Sequence, residues 1–127
     1  MFIRKDGDIV ARILIIDDSK VMRSVIRAML NKLGHEVVGE ATNGLEGYDQ
    51  YFSLKPDLAT MDITMPVMNG VDTLIKIKEH DPDAKIILIT ATLQGAKLNN
   101  AIDSGASGYL FKPLQEAELK QLLEQIL

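Results

Sequence analysis

The chain has 127 residues, a length that favours one domain with one core. Its 46% apolar and 25% charged residues are ordinary for a globular protein, and a net charge of −4 argues against a nucleic-acid partner, which would call for clustered basic residues. Cysteine is absent, which excludes disulfides and thiolate metal sites and suits the cytoplasm. No apolar stretch approaches the roughly 20 residues of a membrane span, and Met1 to Asp8 has no apolar signal core, so membrane insertion is not expected.

Strand and helix patterns then alternate five times. Met1 to Ala11 precedes the first of them as an extension. Its Lys5-Asp6-Gly7-Asp8 suits a turn that would set Phe2-Ile3-Arg4 beside Ile9-Val10-Ala11, and it equally suits a disordered tail. The first strand is expected over about Arg12 to Asp17. Ser19 is a good N-cap for a helix carrying Val21, Met22, Val25, Ile26, Met29, Leu30 and Leu33 on one broad face, with Gly34 as its stop. Glu36 to Glu40 is short and polar at both ends, which suits an edge strand. A helix from about Leu45 to Ser53 is broken by Pro56, and a third strand runs from Asp57 to Asp62.

After Met65-Pro66, a helix runs through Val71, Leu74, Ile75 and Ile77 to Asp81-Pro82-Asp83. Lys85 to Thr90 reads as the fourth strand. A weaker helix follows over about Gly95 to Ser104, and Gly105 to Gly108 leads into the fifth strand. The last helix sets Leu119, Leu122, Leu123, Ile126 and Leu127 at helical spacing, with a Glu116–Lys120 pair at i, i+4. Asn43-Gly44 and Asn69-Gly70 are not flanked by paired alternating strands, so both read as helix-entry loops. Strands three, four and five are near-continuous apolar runs, as in a sheet covered on both faces. Right-handed crossovers then give an α/β, doubly wound (βα)5 parallel sheet.

Five polar residues sit where the strands end: Asp17 with Asp18, Asp62, Thr90 and Lys112. Parallel strands would bring all five to the carboxyl edge, where open α/β sheets hold ligands. Three carboxylates, a hydroxyl and an ammonium in one cleft describe a magnesium-assisted phosphoryl-transfer site. A lone strand-end aspartate more often caps a loop, an acidic pair before a helix can simply complement its dipole, and a lone lysine is usually a solvated charge. Their convergence favours the chemical reading.

Ile15-Ile16-Asp17-Asp18-Ser19, Met61 through Gly70, Ile89-Thr90-Ala91 and Gly108 through Pro113 together resemble the receiver domain of bacterial response regulators. Each motif alone is weak; all four stand in the right order and spacing from about Arg12 to Leu127. The resemblance implies the flavodoxin-like, CheY-type fold, with five strands in the order 2-1-3-4-5. It implies Asp62 as the phosphoacceptor and a Mg²⁺ site in which Asp18 and Asp62 bind directly, Asp17 acts through water and the Thr64 carbonyl contributes; Mn²⁺ would substitute. Lys112, in a Lys-Pro peptide often cis in the family, would pair with Asp62 and then with a phosphoryl oxygen. Thr90 would bond that oxygen, small Ala91 would leave room for the donor, and Thr64 and Thr92 would modulate how long the phosphate lasts. Tyr109 would turn inward with Thr90 and reshape the face built from the fourth helix, fifth strand and fifth helix.

The partners implied are a histidine kinase, for which Met22 and Val25 are candidate contacts, and a downstream protein. The Asp17-Asp18-Ser19 start, running on to Met22-Arg23, and the Met61-to-Gly70 loop look most like stand-alone chemotaxis regulators, which act on the flagellar motor switch and on phosphatases. Such a protein is an enzyme only on itself, catalysing its own phosphorylation and dephosphorylation. A single-domain phosphorelay shuttle and a receiver cut from a larger regulator are the alternatives. An FMN protein would need a phosphate-binding loop where Asp17-Asp18 stand. A dehalogenase-type phosphatase would carry an acid where Thr64 stands, and a receiver that never takes phosphate would not need the full five-residue set.

Overall fold

A computed structural model describes residues 1–91 and 103–127. In chain order the elements are β1 (Phe2–Ile3), β2 (Ile9–Val10), β3 (Arg12–Ile16), α1 (Lys20–Lys32), β4 (Glu36–Ala41), α2 (Gly44–Leu54), β5 (Leu58–Asp62), α3 (Gly70–His80), β6 (Ile86–Thr90), β7 (Gly108–Phe111) and α4 (Glu116–Ile126). The helix expected near Gly95 falls, through residue 102, outside the described residues, as does Thr92.

β3 to β7 form one parallel sheet in the order β4-β3-β5-β6-β7, the 2-1-3-4-5 arrangement of a doubly wound fold. β3, β5 and β6 are central, and four of the five β3 residues and all of β5 and β6 are buried. Strand alternation divides the core into two layers. Leu14, Ile16, Ala59, Met61, Ile86 and Leu88 pack under α2 and α3 with Leu74 and Ile77. Ile13, Ile15, Leu58, Ile87, Ile89 and Leu110 pack under α1 and α4 with Ile26, Leu30, Leu119 and Leu123.

The helix starts follow the capping logic. Ser19 accepts a hydrogen bond from the Met22 N–H, Asn43 from Glu46 and Asn69 from Asp72, so both Asn-Gly pairs do open helices. Gly34 takes φ +88° just past α1, a conformation that a Cβ disfavours. α2 ends with Lys55 in the left-handed region, and the Arg12 guanidinium donates to the Leu54 and Lys55 carbonyls, 2.9 Å each.

The apolar stripes divide between core and surface, and one expected pair is corrected. The broad apolar face of α1 is only partly inward: Ile26 and Leu30 are buried, while Val21 is 73% and Val25 37% exposed, because seven positions span more arc than one sheet covers. Ile75 likewise points outward from α3. Glu116 reaches across to Lys32 Nζ at 3.4 Å instead of along its own helix to Lys120.

The extension is a hairpin. β1 and β2 pair antiparallel, Phe2 opposite Val10 and Ile3 opposite Ile9, around the expected turn. The turn closes through the Gly7 N–H to the Arg4 carbonyl, and Arg4 pairs with Asp6 and Asp8. Among the described residues, no helix is long and apolar enough to cross a membrane.

Candidate functional site

The four chain segments that carry the expected site residues end at the same edge of the sheet. β3 delivers Asp17 and Asp18. Its neighbour β5 delivers Asp62, since Ile16 is in register with Met61. β6 ends in Thr90, one residue past the Ile89 that faces Asp62. β7 ends at Phe111, in register with Thr90, and the next residue is Lys112, whose N–H donates to the Thr90 carbonyl at 2.9 Å. The Lys112-Pro113 peptide is cis.

The carboxylates of Asp17, Asp18 and Asp62 each offer an oxygen within 4.8 Å of the others. Lys112 Nζ lies 3.5 Å from Asp62 Oδ2 and 3.8 Å from Asp17 Oδ2. Asp17 is fully buried, Asp62 nearly so, and Asp18 faces solvent at the mouth. Three like charges thus meet one ammonium. Burial pushes the Asp62 carboxyl above the ordinary range, and Asp17 adds to the rise. Lys112 and the Thr64 N–H, which donates to Asp62 Oδ1 at 3.4 Å, oppose it without cancelling it.

Asp17 Oδ1 accepts from the Ser19 N–H at 2.8 Å, whereas its buried Oδ2 has no hydrogen-bond partner among the described residues, with Lys112 Nζ standing off at 3.8 Å. A buried carboxylate oxygen without a donor is costly, and a hard cation would satisfy it. An all-oxygen donor set, partly open to water, fits Mg²⁺ or Mn²⁺.

The loop from Asp62 to α3 wraps the site. Ile63 and Met65 are buried and anchor it; Thr64 and Val67 are exposed. Gly70, the first residue of α3, lies against the Asp62 backbone so closely that a Cβ there would collide with the Asp62 carbonyl oxygen. Val67 sits at φ +69° and is 76% exposed, an uncommon conformation for a β-branched side chain. Ala91 is exposed just past β6.

Tyr109 is half-buried on β7 and packs on the layer under α2 and α3. Burial raises its phenol above the usual range, with a contribution from Asp103. Met22 and Val25 are on α1, Met22 leaning into the core and Val25 partly exposed. They are not part of the carboxylate cluster.

The structure adds residues that the sequence reading missed. Arg23 donates from Nη1 to the Asp17 carbonyl at 2.8 Å and from Nε to Glu40 Oε1 at 3.1 Å. The available signal was an Arg-x-x-x-Arg pair on α1 and an acidic residue on the edge strand beside it. Gly70 was legible as the end of the Met61-to-Gly70 motif and as a helix entry, but not as a residue packed on the Asp62 backbone.

The response regulator receiver domain family matches residues 13–124. The chain is 45% identical over 115 residues to the chemotaxis protein CheY of Thermotoga maritima, spanning 91% of this chain and 96% of that protein. It is 42% identical over 116 residues to the CheY of Bacillus subtilis, spanning 91% and 97%. Among solved structures, the CheX-CheY-BeF3-Mg²⁺ complex of Borrelia burgdorferi superposes with a TM-score of 0.88 at 29% identity, covering 98% of this chain and 94% of that one.

Proposed function

The chain belongs to the response regulator receiver domains of two-component systems, and from that premise we propose that it is a chemotaxis-type phospho-receiver with Asp62 as its phosphoacceptor. The observation that carries the reading is the meeting of Asp17, Asp18, Asp62 and Lys112 at one end of the sheet.

Asp17, Asp18 and Asp62, with the Thr64 carbonyl, would hold Mg²⁺; when bound, the ion orients the incoming phosphoryl group and offsets its charge. An Asp62 carboxylate oxygen attacks the phosphorus of a phosphohistidine on the kinase. The P–O bond forms as the P–N bond breaks, and the imidazole leaves with the bonding pair and takes a proton from solvent. Lys112, at rest against Asp62 and Asp17, shifts its ion pair to a phosphoryl oxygen. The Thr90 hydroxyl donates to another, and Ala91 leaves the approach open. Reversal to the resting state is attack of water on the same phosphorus, which returns the carboxylate and releases inorganic phosphate. Exposed Thr64 borders that water's approach, and Thr92 is assigned the same influence on lifetime.

Tyr109 couples this to a partner. Its half-buried ring can move with Thr90 and bias the surface of β7 and α4 between two states. The chemotaxis relatives support a cytoplasmic setting and a downstream protein in motility, such as the flagellar motor switch. The CheX-bound neighbour supports a phosphatase of that kind as a second partner. Met22 and Val25 are assigned to the kinase contact.

The test is intact mass after incubation with Mg²⁺ and acetyl phosphate, for wild type and Asp62→Ala, with and without EDTA. One added phosphoryl group on wild type, absent in the variant and with EDTA, is expected. No adduct, combined with no binding of beryllofluoride plus Mg²⁺, would overturn the reading.

A further inference from the structure

Behind the carboxylates lies a second layer of charge, shared by α1 and β4. The side chain of Arg23 is only 14% exposed. It spans two elements: Nη1 donates to the backbone carbonyl of Asp17, and Nε donates to Glu40 on β4. Glu40 also accepts from Arg27 Nε through its other oxygen at 2.8 Å, and Arg27, then Arg23, hold its carboxyl below the ordinary range.

The carbonyl that Arg23 grips belongs to the peptide joining Asp17 to Asp18. The plane of that peptide sets how the two carboxylates stand to each other. The Asp17 N–H is already fixed on the Ala41 carbonyl at 3.0 Å, and Oδ1 on Ser19. Arg23 therefore adds a third restraint on Asp17, at its carbonyl.

Resting on the receiver reading, we infer that Arg23, clamped by Glu40, is a positioning residue that sets the Asp17–Asp18 peptide and so the divalent-cation affinity of the carboxylate cluster. Geometry carries the effect more than charge, because Arg23 reaches the cluster only through a backbone carbonyl, while Glu40 offsets part of the charge of the two guanidiniums it holds. A planar fork that reaches two acceptors on two elements has no equivalent in lysine. Groups that orient metal ligands from outside the coordination sphere commonly change affinity about 10- to 100-fold when removed.

The experiment is Mn²⁺ binding to the full chain, followed by the electron paramagnetic resonance signal of free Mn²⁺, with thermal midpoints measured in parallel. Wild type is compared with Arg23→Met, Arg23→Lys, Arg27→Met and Asp18→Asn. Arg27→Met removes a partner of Glu40 that does not touch Asp17. The Kd is expected to rise roughly 10-fold in Arg23→Met. Arg23→Lys, which keeps the charge and guards against a misfolded methionine variant, is expected to rise by a smaller factor. Arg27→Met is expected to stay near wild type even where its midpoint falls. Unchanged affinity in both Arg23 variants, beside intact wild-type binding, overturns the inference and leaves the receiver reading standing. So does affinity that merely follows the thermal midpoint across the set. Wild type that binds no better than Asp18→Asn overturns the receiver reading itself.

Discussion

The two ends of the parallel sheet are built from the same strands and obey different rules. At the amino end, polar groups satisfy the backbone. Arg12 donates its own N–H to Asp57 at 2.8 Å and its guanidinium to the end of α2, and His35 Nδ1 accepts from the Ala11 N–H at 3.0 Å. At the carboxyl end, polar groups are left wanting. Asp17 Oδ2 has no hydrogen-bond partner among the described residues, and Asp62 is pushed toward its protonated form. One end is arranged for the stability of the native chain. The other keeps under-satisfied groups for a ligand, as functional sites tend to.

If the ends are this distinct, substitutions should separate stability from chemistry. The largest effect belongs to Gly70→Ala, where the added Cβ meets the Asp62 carbonyl oxygen. A loss of about 3 kcal/mol in urea unfolding is expected, together with loss of phosphoryl uptake by intact mass. A variant as stable and active as wild type would mean that the loop is not wedged against Asp62.

Next is Arg12→Met, which leaves two carbonyls at the end of α2 without their donor. It should cost roughly 2 kcal/mol and leave Mn²⁺ affinity unchanged. A weakened metal site would break the comparison, since it would show the two ends to be coupled.

The smallest effect concerns His35. Burial, and then the nearby Arg4, hold its imidazole below the usual range. The unfolded chain therefore binds the proton more readily, so the His35 contribution is complete above about pH 6.5 and is lost as pH falls through the lower folded value. Urea unfolding at pH 7.5 and 5.5 should show wild type losing more stability than His35→Phe across that interval. Equal losses would mean that the imidazole is not held below its usual range at the amino end.

The carboxyl end was the more legible of the two from sequence. Asp17, Asp62, Thr90 and Lys112 each close an apolar run, and strand period alone places such residues on one edge. Arg23 was not legible, because its partners are the carbonyl of a residue six positions earlier and a carboxylate on another strand. Periodicity marks Val21 and Val25 as apolar without saying that the sheet ends before reaching them. The pairing of the first residues was half legible. Turn chemistry at Lys5 to Asp8 was visible, but strands of two residues carry too little alternation to separate a hairpin from a tail. Glu116 shows the limit of local pairing rules, since an acceptable partner on its own helix lost to Lys32 on another.

The hairpin has a practical consequence. The chain has no thiol, and the turn at Lys5 is exposed at the amino end, separated from the carboxylates by the five residues of β3. That is about 17 Å of extended backbone. A Lys5→Cys variant would carry a single addressable thiol there, so a spectroscopic probe or surface tether can be attached at a fixed point while the carboxylate cluster at the opposite end is titrated with Mn²⁺.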